Sequence, residues 1–358
     1  MDNRQGVDLF FVACVFVACL FWGVKQSKFA PLLCLPIIWN LFVIDDFNQY
    51  YALSETIIFS SGLLFIAYLY SHKKLINEFH TIIVALAFVG MVYDFLHMAG
   101  LDLKMVIAEN LLTGVKALKV HSYGNYDGGF LGNPNVSGAF YALSIFSFWK
   151  KGLKWLSLAP FAMTFFTTAF PIITAVAFYI MLAWQHLNFS PKTGYAAFLV
   201  LFGAFYLYGH SNNLWFYNGP KDELLWHDSG RFLIWENSTE MLINSKNWLM
   251  GNGLGWFGDN FKSLYKPFGW TVKQEHNEFF AVLNAFGLVG LLSFMGIFFY
   301  LSSGIDKITN AGLFACFVNF MGNFTLHIST TFIVCALILV CALKGKNIGE
   351  IVERESLS

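Results

Sequence analysis

The chain has 358 residues, of which 57% are hydrophobic, 19% aromatic and only 12% charged, with a mean hydropathy of +0.57. Soluble domains carry about 25% charged residues, so most of this surface faces something other than water. A formal net charge of +0 supplies no basic field for nucleic acid, and that partner is excluded.

In chain order, continuous apolar runs predict membrane spans near 7–24, 29–44, 51–70, 81–99, 132–149, 153–168, 171–187, 194–209, 278–301, 309–325 and 327–343. The first run follows a lone Arg4 and no A-x-A site, so it reads as a retained helix rather than a signal peptide. Pro171 divides the pair between 153 and 187. The fold class expected is all-α integral membrane: a polytopic bundle of about 11 transmembrane helices with one large outer, periplasmic loop. Its sections are 1–131 (first helices and first outer loop), 132–209 (central helices), 210–277 (large outer loop) and 278–358 (last helices and inner tail). The six cysteines, Cys14, Cys19, Cys34, Cys316, Cys335 and Cys341, lie in apolar runs and read as small hydrophobes.

Orientation follows from the short connections. With both long loops outside, Lys25, Lys28, Lys73, Lys74, Lys150, Lys151, Lys154, Lys192, Lys307, Lys344, Lys346 and Arg354 are all inside, and only Arg4 is outside. The large loop is therefore placed outside and the C-terminus inside.

Polar content is concentrated in that loop, which holds Trp215, Trp226, Trp235, Trp248, Trp256 and Trp270. Tryptophans at an interface belt and tryptophans stacked on sugar rings are alike in sequence. Arg231 is one of three arginines, the other two being near the termini. A guanidinium presents a planar fork that matches a phosphate; the plain alternative is a pairing with a loop carboxylate or a helix cap. His276 sits where the loop meets a span, and an imidazole there can take a proton from an attacking hydroxyl. Glu275, His276 and Glu278 lack the spacing of a metal site, and no metal is expected. Gly251-x-Gly253-x-Gly255 reads as a tight turn that lets backbone approach another segment. Asn133-Pro134-Asn135 reads as a turn with a helix cap whose amides can also meet phosphate or sugar oxygens. Asp45-Asp46 on a short outer connection reads as a solvated loop, a metal–diphosphate pair being the alternative.

Together, Gly132-Asn133-Pro134-Asn135, Gly230-Arg231-x-x-x-Trp235, Gly251-x-Gly253-x-Gly255, His276-Asn277-Glu278-Phe279 and Gly287-Leu288-Val289-Gly290 resemble the O-antigen ligase family, over roughly residues 125 to 300. That family includes O-antigen polymerases and protein O-oligosaccharyltransferases. The resemblance implies a bacterial inner-membrane glycosyltransferase that takes an undecaprenyl-diphosphate-linked glycan as donor, without metal ion or other cofactor. Arg231 would bind the diphosphate and His276 would activate the acceptor hydroxyl, with Asn133, Asn135, Trp235, Gly253, Asn277 and Glu278 around the substrate. Lipid A–core is the preferred acceptor; a growing glycan, as in a polymerase, is the alternative. One departure stands out: where family members carry a Ser-Arg-Gly-like step, this chain reads Thr167-Thr168-Ala169-Phe170-Pro171. Diphosphate binding then rests on Arg231 with lysines such as Lys116, Lys119 or Lys273. Two other classes remain open. A transporter would use ionisable groups within helices, Asp94 and His97 being the candidates, and an inactive relative would use none of these residues.

Overall fold

The computed structural model describes residues 50–99, 131, 133–211, 231–260, 275–323 and 329–357, and every regular element among them is helical. In chain order these are α1 (Tyr50–Ser71), α2 (Lys73–Met98), α3 (Pro134–Lys150), a 3₁₀ turn (Trp155–Ser157), α4 (Leu158–Thr164), α5 (Ala169–His186), α6 (Pro191–Ser211), α7 (Arg231–Asn244), α8 (Trp256–Asn260), α9 (Glu278–Leu301), α10 (Lys307–Phe320) and α11 (Ser329–Leu357). Among the described residues, four stretches are long and apolar enough to cross a membrane: α2, α5, α9 and the Thr330–Asn347 part of α11.

Each predicted span from 51 onward except 153–168 overlaps a longer helix, but several boundaries differ. Helix α2 begins at Lys73, before the expected 81, and α11 runs on to Leu357, past the expected 343. In both cases charged helix-forming residues extend a helix beyond its apolar stretch. The span expected at 153–168 contains only the 3₁₀ turn and the seven residues of α4. Pro171 lies in the first turn of α5, where a missing N–H costs nothing. The expected spans 7–24 and 29–44, the loop 100–130, Lys116, Lys119, Lys273 and Asp45-Asp46 lie outside the described residues.

The chain divides into two units. The first comprises residues 1–68, 184–304 and 320–329, and the second 69–183, 305–319 and 330–358. In the second unit α2 packs on α3, and α4 packs on both. Helix α2 turns His80, Val84, Ala87, Met91 and Asp94 inward, at alternating spacings of four and three residues. Its opposite face leaves Ile82, Leu86, Val89, Val92 and Phe95 exposed, which is the pattern of a helix with one side in lipid. Helix α3 is buried on all sides from Ser137 to Phe148, as its lack of a polar face requires. Cys316 on α10 and Cys335 on α11 are not joined by a disulfide; the Cys316 thiol donates to the Cys335 sulfur at 3.4 Å.

In the first unit α7 and α8 pack on α9, and Phe59 of α1 meets Phe286 of α9 at 5.6 Å. Helix α9 is broken. Gly287 adopts φ 66, ψ −166, a conformation essentially confined to glycine. The groups freed by the break are taken up by the segment Trp248–Gly253. Leu288 and Val289 donate to the carbonyls of Trp248 and Leu249 at 2.9 and 3.2 Å, while Asn252 and Gly253 donate to those of Asn284 and Ala285 at 2.8 and 3.0 Å. A broken helix in an apolar setting is tolerated only when its polar backbone is satisfied in this way.

Candidate functional site in the first unit

The site is built around the start of α9. Asn277 is extended, and its Oδ1 accepts from the N–H groups of Phe279 and Phe280 at 2.9 and 3.3 Å, capping the helix. Its Nδ2 donates to the Met321 carbonyl at 2.8 Å. The amide is thus committed to holding α9 rather than presented to a ligand. Glu278 is buried in the first turn, where the helix dipole favours a carboxylate.

Immediately before the cap, His276 has φ 55, a left-handed conformation that non-glycine residues adopt rarely and that concentrates at functional sites. The turn has a clear consequence. Glu275, Asn277 and Glu278 are buried, whereas His276 alone of these four is partly open.

Trp235 anchors this turn to α7. Its indole N–H donates to the Glu275 carbonyl at 2.8 Å, and its ring stacks on Phe280 with centroids 5.5 Å apart and planes 14° apart. Phe202 and Tyr206 of α6 approach at 6.0 and 6.5 Å. The residue is 0% exposed. Trp235 therefore has no ring face open to a sugar; it pins the turn. One helical turn before it on the same helix is Arg231, only 7% exposed and engaged in contacts of its own. A guanidinium so far removed from water must be matched by acceptors.

Beneath the turn lies a network that sequence reading missed. Asn284 donates through Nδ2 to Glu275 Oε1 at 2.8 Å and to Ser238 Oγ at 2.5 Å. All three side chains are buried. Glu275 attracts notice in sequence only as a rejected metal ligand, and nothing in the sequence ties Ser238 or Asn284 to it.

The two glycine motifs turn out to be partners. A Cβ on Gly251 would fall 2.5 Å from the Gly287 nitrogen, and one on Gly287 would fall 2.5 Å from the Met250 nitrogen. Gly253, with φ 94, commits its N–H to α9. These glycines form a backbone clasp.

No family model and no curated protein sequence matches this chain.

Asn133 and Asn135 belong to the second unit. Asn133 caps α3, its Oδ1 accepting from the Asn135 N–H at 2.9 Å, with Pro134 following at the first helical position. The Asn135 Oδ1 accepts from the Thr168 hydroxyl. Thr168 belongs to the very stretch in which the resemblance expects an arginine, so at that position a neutral donor faces the asparagine pair. The second unit also buries Asp94, whose Oδ2 accepts from the Tyr141 hydroxyl at 2.5 Å. In the same unit His80 meets the Ser147 hydroxyl at 3.0 Å through Nδ1 and the Cys341 sulfur at 3.8 Å through Nε2. Among the described residues, no group of three His, Cys, Asp or Glu side chains could hold a metal ion.

Proposed function

We propose that this protein is a membrane glycosyltransferase that moves a glycan from undecaprenyl diphosphate to an acceptor hydroxyl at the outer face of a bacterial inner membrane, with lipid A–core as the acceptor. The observation that carries the reading is the His276 turn: a partly open imidazole on a left-handed residue, held through Trp235 to the helix that bears a buried Arg231. In this reading His276 takes the proton from the acceptor hydroxyl as its oxygen attacks the anomeric carbon. The bond to the diphosphate breaks with inversion, and Arg231 stabilises the charge that develops on the leaving phosphate. Eleven spans with the large loop outside complete the proposal, supported by the helices that overlap every predicted span from 51 onward except 153–168, by the four of spanning length and apolarity, and by the lysine asymmetry.

A kinetic split between two variants tests the roles. His276→Ala should lower kcat by about 10²–10⁴-fold with little change in KM, as loss of a general base does. Arg231→Lys keeps the charge but loses the planar fork, and should weaken the use of donor most. If both variants keep wild-type kinetics in a folded protein, the transferase reading fails.

The buried Asp94–Tyr141 pair favours a second reading, transport coupled to a carboxylate within a helix. Asp94→Asn abolishes flux under that reading and leaves glycan transfer intact under the first.

A further inference from the structure

Within the first unit, α7 runs alongside the start of α9 in the same direction. Trp235 stacks on Phe280, and one turn further along both helices Ser238 accepts from Asn284. Beyond the end of α7 the carbonyls of Trp248 and Leu249 accept from Leu288 and Val289, beside the break at Gly287. The stretch from 231 to 253 therefore follows α9 from its first turn to its middle.

That middle cannot stand clear of a membrane. Helix α9 is long and apolar enough to cross one, and it carries no charged side chain after Glu278. Its part after the break, 288–301, rises only about 21 Å, against a hydrocarbon layer of about 30 Å. A crossing α9 thus needs residues before the break to complete the span. The break, and the segment clasped to it, then lie at least as deep as the boundary of the hydrocarbon.

The side chains at the bend fit that position. Ile243, Trp248, Leu249 and Met250 are exposed by 46 to 60%. Val289, whose N–H meets the Leu249 carbonyl, and Leu292 next along α9 are exposed as well, so the apolar surface of the bend continues that of the helix. Polar groups at the bend are spent on one another. Asn247 Nδ2 donates to Asn252 Oδ1 at 3.1 Å, while Asn252 Nδ2 and the Asn247 N–H donate to Ser245 Oγ at 3.0 and 3.3 Å. Irregular backbone at the edge of lipid requires such internal satisfaction. Lys246 is exposed at the same bend, and its long stem lets the ammonium reach the phosphate layer. Glu240, exposed one turn before the end of α7, keeps the insertion shallow.

We propose that the bend at 243–250 is inserted in the membrane leaflet on the side where α9 begins. Ile243, Trp248, Leu249 and Met250 enter the boundary between headgroups and acyl chains, with Lys246 at the phosphates. A stretch that reads in sequence as part of an aqueous loop becomes a membrane anchor. It holds the His276 turn, about 15 Å up α9 from the break, at a set height above the acyl chains. The anchor does not depend on the transferase reading.

The test uses the full wild-type chain in phosphatidylcholine liposomes containing a trace of phosphatidylcholine with a diazirine in one acyl chain. After illumination, lipid adducts are located by peptide mass spectrometry. Trp248, Leu249 and Met250 should carry adducts within about three-fold of the yield on Leu292, the reference on the exposed face of α9. Adducts on Leu292 with none on 248–250 would overturn the proposal, whether water or a second copy of the chain covers those residues. Absence of adducts from Leu292 as well would overturn it too, because the lipid-facing surface that the bend continues would not exist.

Discussion

Replacing Gly287 by alanine attacks the break in α9 and the clasp that fills it. At φ 66, ψ −166 an L-residue is strained by about 1–3 kcal/mol. The added Cβ would also press on the Met250 nitrogen at 2.5 Å, a backbone atom that cannot swing aside as a side chain can. Moving the Trp248–Gly253 segment away endangers the bonds from Leu288 and Val289 to Trp248 and Leu249, each worth about 1 kcal/mol net. The expected loss is roughly 3–5 kcal/mol, from strain and the two bonds together. Gly296→Ala is the matched control, because that glycine lies in the same helix with nothing within 4 Å of its would-be Cβ. It should be neutral or stabilising by up to about 1 kcal/mol. Reversible unfolding in mixed micelles, followed by circular dichroism across a titration with denaturing detergent, measures both. If Gly287→Ala unfolds with Gly296→Ala rather than well before it, the clasp is not what holds α9.

Trp235→Phe should keep the stacking on Phe280 but lose the bond to the Glu275 carbonyl, costing about 1–2 kcal/mol in the same unfolding assay. Trp235→Ala should cost about 3–5 kcal/mol and, by releasing the His276 turn, abolish transfer as well. Asn284→Leu leaves the buried Glu275 and Ser238 without their shared donor; a loss of about 1–3 kcal/mol is expected, and Asn284→Gln should not restore it if the geometry of the network matters. Asp306 supplies a pH test. Partial burial alone would raise its carboxyl, but bonds from the Lys150 ammonium and the Thr309 hydroxyl, with the Lys150 charge and the Thr309 N–H, hold it below the usual carboxylate range. Its stabilising effect is therefore present above the unfolded carboxylate pKa near 4 and is lost as pH falls through the lower folded value. With the carboxylate 53% exposed the effect is small, about 0.2–1 kcal/mol, and Asp306→Asn should flatten that part of the stability profile.

The helices were legible because apolar stretches of spanning length leave the backbone little choice in lipid. Helix α7 was not. It falls inside a stretch read as loop, and its buried residues Ile234, Trp235, Ser238 and Leu242 form a stripe rather than a continuous apolar run. Gly251 and Gly287 were each visible as motifs, but their partnership is a backbone contact between distant segments, which no local pattern encodes. Likewise, tryptophan in an interface belt, against a sugar or in a core looks the same in sequence, and only the Phe280 stack and the bond to Glu275 show that Trp235 is core. The left-handed turn at His276 has no sequence signature either. The cap at Asn277 was recognised only as a candidate for binding, although asparagine before an apolar helix is equally a capping signal.

The most direct test of the central claim uses the purified protein in liposomes, supplied with an undecaprenyl-diphosphate glycan and lipid A–core. Released undecaprenyl diphosphate and glycosylated acceptor are measured together. Wild type should yield both products in equimolar amounts and His276→Ala neither. Folded wild-type protein that releases no undecaprenyl diphosphate across several donors would contradict it.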